Sequence, residues 1–259
     1  MNRYLSLAAV MVAWSVQAAE LPVQTPATAA AAAAAVEATA AAPALPPAQV
    51  PAQPHAPGIE TPGYKWNDIK GDQLEALKAA GDPVRGADAY IVCQGCHGAD
   101  ALGDAAGYYP RLAGQYTTVL IKQLTDVREG RRDNPKEFPF SSEHVITPQD
   151  IADIAAYLHG LPAPAQHGQG PGGDFTMAAK MYKKDCQICH GKAGQGDGDK
   201  FYPKVSGQHY AYMLRQTHDI RDGVRRNANP DMVDAVKGYS DSDLTAVVDY
   251  MSRFPVKTQ

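Results

Sequence analysis

Cys93-Gln-Gly-Cys-His97-Gly98 and, 93 residues further on, Cys186-Gln-Ile-Cys-His190-Gly191 decide how the rest of the chain reads. Two thiols at this spacing each bond a vinyl group on one edge of a single haem, and the next residue, histidine, then ligates the iron from beneath the ring. A lone Cys-x-x-Cys also suits a redox dithiol or half of a zinc site. Here the two strings use all 4 cysteines, so none is left for a disulfide, a thiol nucleophile or a cysteine ligand to iron. The spacing predicts two covalently bound haem c groups, one held by Cys93, Cys96 and His97 and the other by Cys186, Cys189 and His190.

The match extends outward from the cysteines without a gap. Tyr109-Pro110-Arg111 falls on Tyr202-Pro203-Lys204, and Gly114-Gln115 on Gly207-Gln208. Gln123, Asp126, Arg128, Gly130, Arg132 and Asn134 fall on Gln216, Asp219, Arg221, Gly223, Arg225 and Asn227. Such self-similarity marks a duplicated domain. The two domains are expected over residues 64–161, where an extra N-terminal segment precedes the repeated part, and 174–259, with a Pro/Gly-rich hinge at 162–173.

Each copy reads as all-α. Ile151, Ile154, Ala155 and Leu158, like Leu244, Val247, Val248 and Met251, follow the spacing of one helix face. Thr147-Pro148 and Ser240-Asp241 are start signals just before these stretches. Leu120, Ile121 and Leu124 mark a middle helix, matched by Met213, Leu214 and Thr217. Asp72 and Glu75, with Gly81 beyond, predict a short extra helix in the first copy that the second lacks. A domain this small has a small core, which a large apolar cofactor would complete.

Residues 1–19 read as a signal peptide: Arg3, then an apolar run from Tyr4 to Val16, then small residues before Ala19. That run is too short to span a bilayer, so membrane association is expected only if the N-terminus stays uncleaved, and the folded part is expected in the periplasm. Residues 20–63, rich in Ala and Pro, read as a disordered linker in which His55 is solvated. A net charge of -4 carries no basic signature of nucleic-acid binding. The charge divides unevenly, with 10 basic and 14 acidic residues over 64–160 against 13 and 11 over 174–259. The halves are thereby expected to steer towards different redox partners.

The second axial ligand separates the copies. Met232 lies in the loop before the last helix of the second copy, while Met177, Met181, Met213 and Met251 read as core filler. The first copy has no methionine between His97 and the end of its last helix, and Pro139 stands at the position matching Met232. His144 is the foremost replacement, with Lys136 or an open iron site lined by Phe138 and Phe140 as alternatives. Pro110 and Pro203, each 13 residues after the haem histidine, are placed to offer it a carbonyl. The arginine pairs 131–132 and 225–226 are candidates to face haem propionates or a partner, with a solvated face as the default.

Residues 82–256 resemble the dihaem cytochrome c4 family. They carry two Cys-x-x-Cys-His-Gly domains, each with a Pro-x-(Leu/Val)-(Ala/Ser)-Gly-Gln segment and an Arg/Asn loop before a final helix. The resemblance implies two class I cytochrome c folds about a pseudo-twofold axis, His/Met iron in both halves and periplasmic electron delivery. Carried onto this chain it makes His97, His190 and Met232 the ligands, and the methionine missing from the first copy departs from the pattern. The expected function is an electron carrier, not an enzyme, between a respiratory or sulfur- or nitrogen-compound dehydrogenase and a terminal oxidase or reductase. The rival is a redox enzyme or enzyme subunit working at an unusually ligated first haem.

Overall fold

A computed structural model describes residues 51–256; the expected signal peptide and the linker up to residue 50 lie outside the described residues. Among the described residues the chain is all-α, with one isolated bridge between Asp197 and Tyr202 in place of a sheet. The first half contains α1 (Gly71–Lys78), α2 (Pro83–Ala89), a 3-10 turn (Tyr90–Cys93) running into α3 (Gln94–His97), α4 (Thr117–Arg128), α5 (Phe138–Ser141) and α6 (Pro148–Gly160). The second contains α7 (Thr176–Met181), a π-helical turn (Tyr182–Cys186) running into α8 (Gln187–His190), α9 (Tyr210–Arg221), α10 (Pro230–Val236) and α11 (Asp241–Met251).

The closing helices begin where the sequence says they should. Thr147 and Asp150 form a reciprocal capping box on α6, and Ser240 and Asp243 form one on α11. Their periodic apolar faces bury in two separate cores, Ile151, Ile154, Ala155 and Leu158 in one and Leu244, Val247, Val248 and Met251 in the other. In the first half α2 crosses α6 at Gly86, where a Cβ would come within 2.0 Å of the Asp153 carbonyl oxygen. Met213 and Met251 are core residues as expected, whereas Met177 is 63% exposed.

Upstream of the cysteines the duplication slips by one residue. Tyr90 precedes Cys93 by three positions and Tyr182 precedes Cys186 by four. The tight 3-10 turn in one half and the wide π turn in the other absorb the difference. Both hydroxyls consequently donate to the same place, Tyr90 to Gly98 O (2.9 Å) and Tyr182 to Gly191 O (2.7 Å).

The halves meet through residues that the duplication repeats. The Gln115 side chain pairs with the Lys204 backbone through both its amide atoms (3.0 Å each), and Gln208 does the same to Arg111 (2.9 and 3.0 Å). Arg132 donates to Gln123 and Gln216 (3.0 Å each), and Arg225 to Gln216 (2.9 Å) and Gln123 (2.8 Å). Each arginine thus bonds the glutamine of its own half and that of the other, as a pseudo-twofold axis requires. Beside them Asp126 receives Lys122 (2.6 Å), Arg131 (2.8 Å) and, from the second half, Asn227 (2.8 Å). Arg132, Arg225 and Arg226 are therefore interface groups and Arg131 is ion-paired to Asp126 within its own half, which corrects their reading as a solvated face.

One connecting segment also differs from expectation. Residues 51–63, read as the end of a disordered linker, lie against both halves. Gln53 donates to the Val127 and Arg132 carbonyls (2.7 and 2.8 Å), Ile59 N–H donates to Arg226 O (2.8 Å), and Arg226 pairs with Glu60 (2.8 Å). His55 accepts a hydrogen bond from Arg226 (3.0 Å) although most of its surface is exposed. Apolar burial is scarce in this stretch, so its fixing comes from polar contacts that composition does not disclose. The 162–173 hinge is tied down in the same way: Arg111 donates to Pro164 O and Gln166 O, and Gly172 N–H to Asp249.

Candidate haem centres

Each Cys-x-x-Cys-His string is bent into a short helical turn closed by a glycine in left-handed backbone, Gly98 (φ 80°) and Gly191 (φ 79°). The carbonyl of each histidine accepts from a backbone N–H six residues on, His97 from Gly103 (3.0 Å) and His190 from Gly196 (2.8 Å). This fold-back brings the prolines beneath the imidazoles. His190 Nδ1–H donates to Pro203 O (3.1 Å), and His97 Nδ1 lies 3.4 Å from Pro110 O. A carbonyl can only accept, so the proton sits on Nδ1 and the Nε2 lone pair is left for a metal. Burial holds the His190 pKa below the ordinary imidazole value, which keeps the ring in the neutral, ligating form.

In the second half a cavity of about 440 Å³ brings together Cys186, Cys189, His190 and Met232. Met232 comes from α10, whose start is fixed by the Asn229 side chain accepting from Asp231 N–H (2.9 Å). Arg225, Asn227 and Gln123 stand at the same cavity. Arg225 donates only to amide oxygens, those of Asn227, Gln216 and Gln123, and has no carboxylate within 4.0 Å among the described residues. Burial and then the Arg132 charge push its pKa down to about 10. A cation so placed calls for an anion, which haem propionates supply. Two thiols, a neutral imidazole, a thioether and an unneutralised arginine around one cavity fit haem c.

The thiols themselves weigh against a redox dithiol. Burial pushes Cys93 up to about 11 and Cys186 up to about 12, opposite to the lowered values of reactive Cys-x-x-Cys pairs. Among the described residues no group of three or more His, Cys, Asp or Glu side chains could hold a bare metal ion.

The first half has the same proximal side and a different distal one. α5 takes the place of α10 and brings Phe138 into the interior, while Phe140 is exposed. His144 lies in the turn after α5, 73% exposed and 4.0 Å from Glu143. The structure brings His97 and Pro110 together but leaves His144 facing solvent. Lys136 is exposed as well.

Sequence reasoning missed the inter-half contacts at the proximal loops. Gln115 and Gln208 grip the residues that follow Pro203 and Pro110, so each half steadies the loop orienting the other half's haem histidine. Their signal was the repeated Gly-Gln pair. Trp66, which lines the second cavity from outside the duplication, gave no signal at all.

Two such sites on one helical chain define a c-type cytochrome with two covalently bound haem groups. The cytochrome c family model matches residues 83–162 and again 176–254. The chain belongs to the dihaem cytochrome c4 family, and it is an electron-transfer cytochrome. It is 31% identical over 192 residues to cytochrome c4 of Azotobacter vinelandii, covering 67% of this chain and 89% of that one. It is 33% identical over 174 residues to a thiosulfate dehydrogenase electron acceptor of Stutzerimonas stutzeri, covering 63% and 79%. The crystal structure of reduced cytochrome c4 from Pseudomonas stutzeri superposes with a TM-score of 0.58 at 28% identity, over 68% of this chain and all of that one.

Proposed function

We propose that this chain is a periplasmic electron relay with two unlike centres, taking electrons from a dehydrogenase and delivering them to a terminal oxidase or reductase. Relatives named as electron acceptors of thiosulfate dehydrogenase support a sulfur-compound dehydrogenase as the donor. Export rests on the signal-peptide reading of residues 1–19, and no helix among the described residues is long and apolar enough to cross a membrane. In this reading the protein carries electrons and holds no catalytic residue of its own. Service as the carrier subunit of a larger enzyme is compatible with it.

Bound haem c supplies one-electron ferric–ferrous chemistry. The chain's part is to hold and bias it. His97 and His190 are the proximal ligands, each oriented by a proline carbonyl. Met232 is the sixth ligand in the second half, and its thioether favours the reduced state. In the first half no methionine is available. His144, the ligand the sequence offers there, would have to turn inward from a solvent-facing position. Met232 without a counterpart is the observation that carries the reading: it makes the second half the higher-potential exit and the first half the entry.

Near-infrared magnetic circular dichroism of the oxidised protein, wild type against His144→Ala, tests it. One methionine-to-iron band is expected, with a second haem whose signature differs. Loss of that second signature in the variant assigns His144 to iron, and an unchanged high-spin signature assigns an open position. Two methionine-to-iron bands, or equal midpoint potentials for the two haems, would remove the basis for an asymmetric relay.

A further inference from the structure

The pseudo-twofold axis pairs position 212 with position 119, and there the halves part. Tyr212 lies at the interface with the Arg215 guanidinium 5.4 Å from its ring centroid, and its hydroxyl accepts from Arg132 (3.1 Å). The mates of these residues are Val119, Lys122 and Arg225. Val119 is buried but has no ring, so the duplication provides no aromatic partner for Lys122. Trp66 fills the role from elsewhere in the chain. Its ring lies 5.4 Å from Lys122 Nζ, matching the Arg215–Tyr212 pair, and stacks on Tyr202 with centroids 6.2 Å apart and planes 22° from parallel. It forms part of the wall of the cavity that holds His190 and Met232.

We propose that Trp66, supplied by the part of the first half that the second does not repeat, is a positioning residue for the second haem: it takes the place beside Lys122 that Tyr212 takes beside Arg215, and shuts water from the part of the cavity wall it forms. The inference rests on the reading that the second half binds haem c. Its physical basis is twofold. The indole braces Tyr202, next in sequence to the Pro203 carbonyl that orients His190. It also keeps polar solvent from the cofactor, and a drier site disfavours the extra positive charge of the ferric state. The residues that hold the segment down, Gln53 and Glu60, are remote in sequence from the haem motif, so the effect arrives through the fold.

The test is a spectroelectrochemical titration of the intact dihaem protein and its Trp66→Ala and Trp66→Phe variants. The methionine-to-iron band reports the second haem. Trp66→Ala is expected to shift the reduction equilibrium of that haem about tenfold towards the ferric form, about 59 mV for one electron. The first haem should stay unchanged, and Trp66→Phe should stay near the wild type. A shift below about threefold in a folded Trp66→Ala protein, equal shifts in both haems, or no recovery with phenylalanine would overturn the proposal. Haem content per chain checks the underlying reading separately: fewer than two haems in the wild type would fail that reading and the role of Trp66 with it, whereas two haems with an unmoved potential in Trp66→Ala would fail the role of Trp66 alone.

Discussion

His209 makes a case for how much one side chain can report. Its Nδ1 accepts from Gly168 N–H (3.0 Å) and its Nε2–H donates to Leu102 O (2.7 Å), so a neutral ring with one defined tautomer joins the connector and both halves. Burial is the main force holding its pKa below the ordinary value; the nearby Arg111 and His167 charges act in the same direction, and the Leu102 carbonyl and Asp104 oppose them. Below its ordinary pKa of about 6.5 the unfolded chain binds a proton that the folded one excludes, so this contribution is full above that pH and is lost as pH falls. Thermal unfolding between pH ~7 and ~5 should therefore show a fall in stability that His209→Gln, which cannot titrate, flattens. In the structure this histidine is the N-cap of α9, and nothing in the sequence marks its place. The sequence could not show the interface job, because the partners are backbone atoms 41 and 107 residues away. The Cys-x-x-Cys-His strings were legible for the opposite reason: Cys93, Cys96 and His97, like their mates, are neighbours in the chain.

Local signals also governed the helices. Thr147-Pro148 and Ser240-Asp241 marked the starts of α6 and α11, and the apolar spacing marked their buried faces, since both depend on contacts within a turn or two. Replacing Ser240 with Ala removes a side chain that accepts from Asp243 N–H (3.2 Å) and anchors the Asp243 carboxylate (2.6 Å). The expected cost is about 1 kcal/mol in urea unfolding, with little change in either haem spectrum. The slip upstream of Cys186 was invisible because a gapless match hides it. Only the shared bond from tyrosine to glycine shows that Tyr182, and not the next residue, corresponds to Tyr90. Nor could composition tell that residues 51–63 are fastened, since Gln53, Glu60 and the glycine between them look like any polar linker.

Across the whole molecule the cost of the interface is concentrated at Asp126. Its carboxylate is fully buried and meets two cations and an amide contributed by both halves. Asp126→Asn would leave Lys122, itself buried, without its counter-charge, and removing one partner of a buried ion pair typically costs about 3–5 kcal/mol. Calorimetry should show the loss, while both covalently attached haems remain on the chain. The quartet of Gln123, Arg132, Gln216 and Arg225 has a different consequence. Every bond in it is reciprocal, so a half-length chain would already carry both sides of the contact and could dock on a second copy of itself. In such an ancestor the two irons would be bound to be alike, each residue serving twice. Joining the copies in one polypeptide released them from that identity. Val119 could then part from Tyr212 and Pro139 from Met232, and the two halves were free to differ on the distal side of the haem.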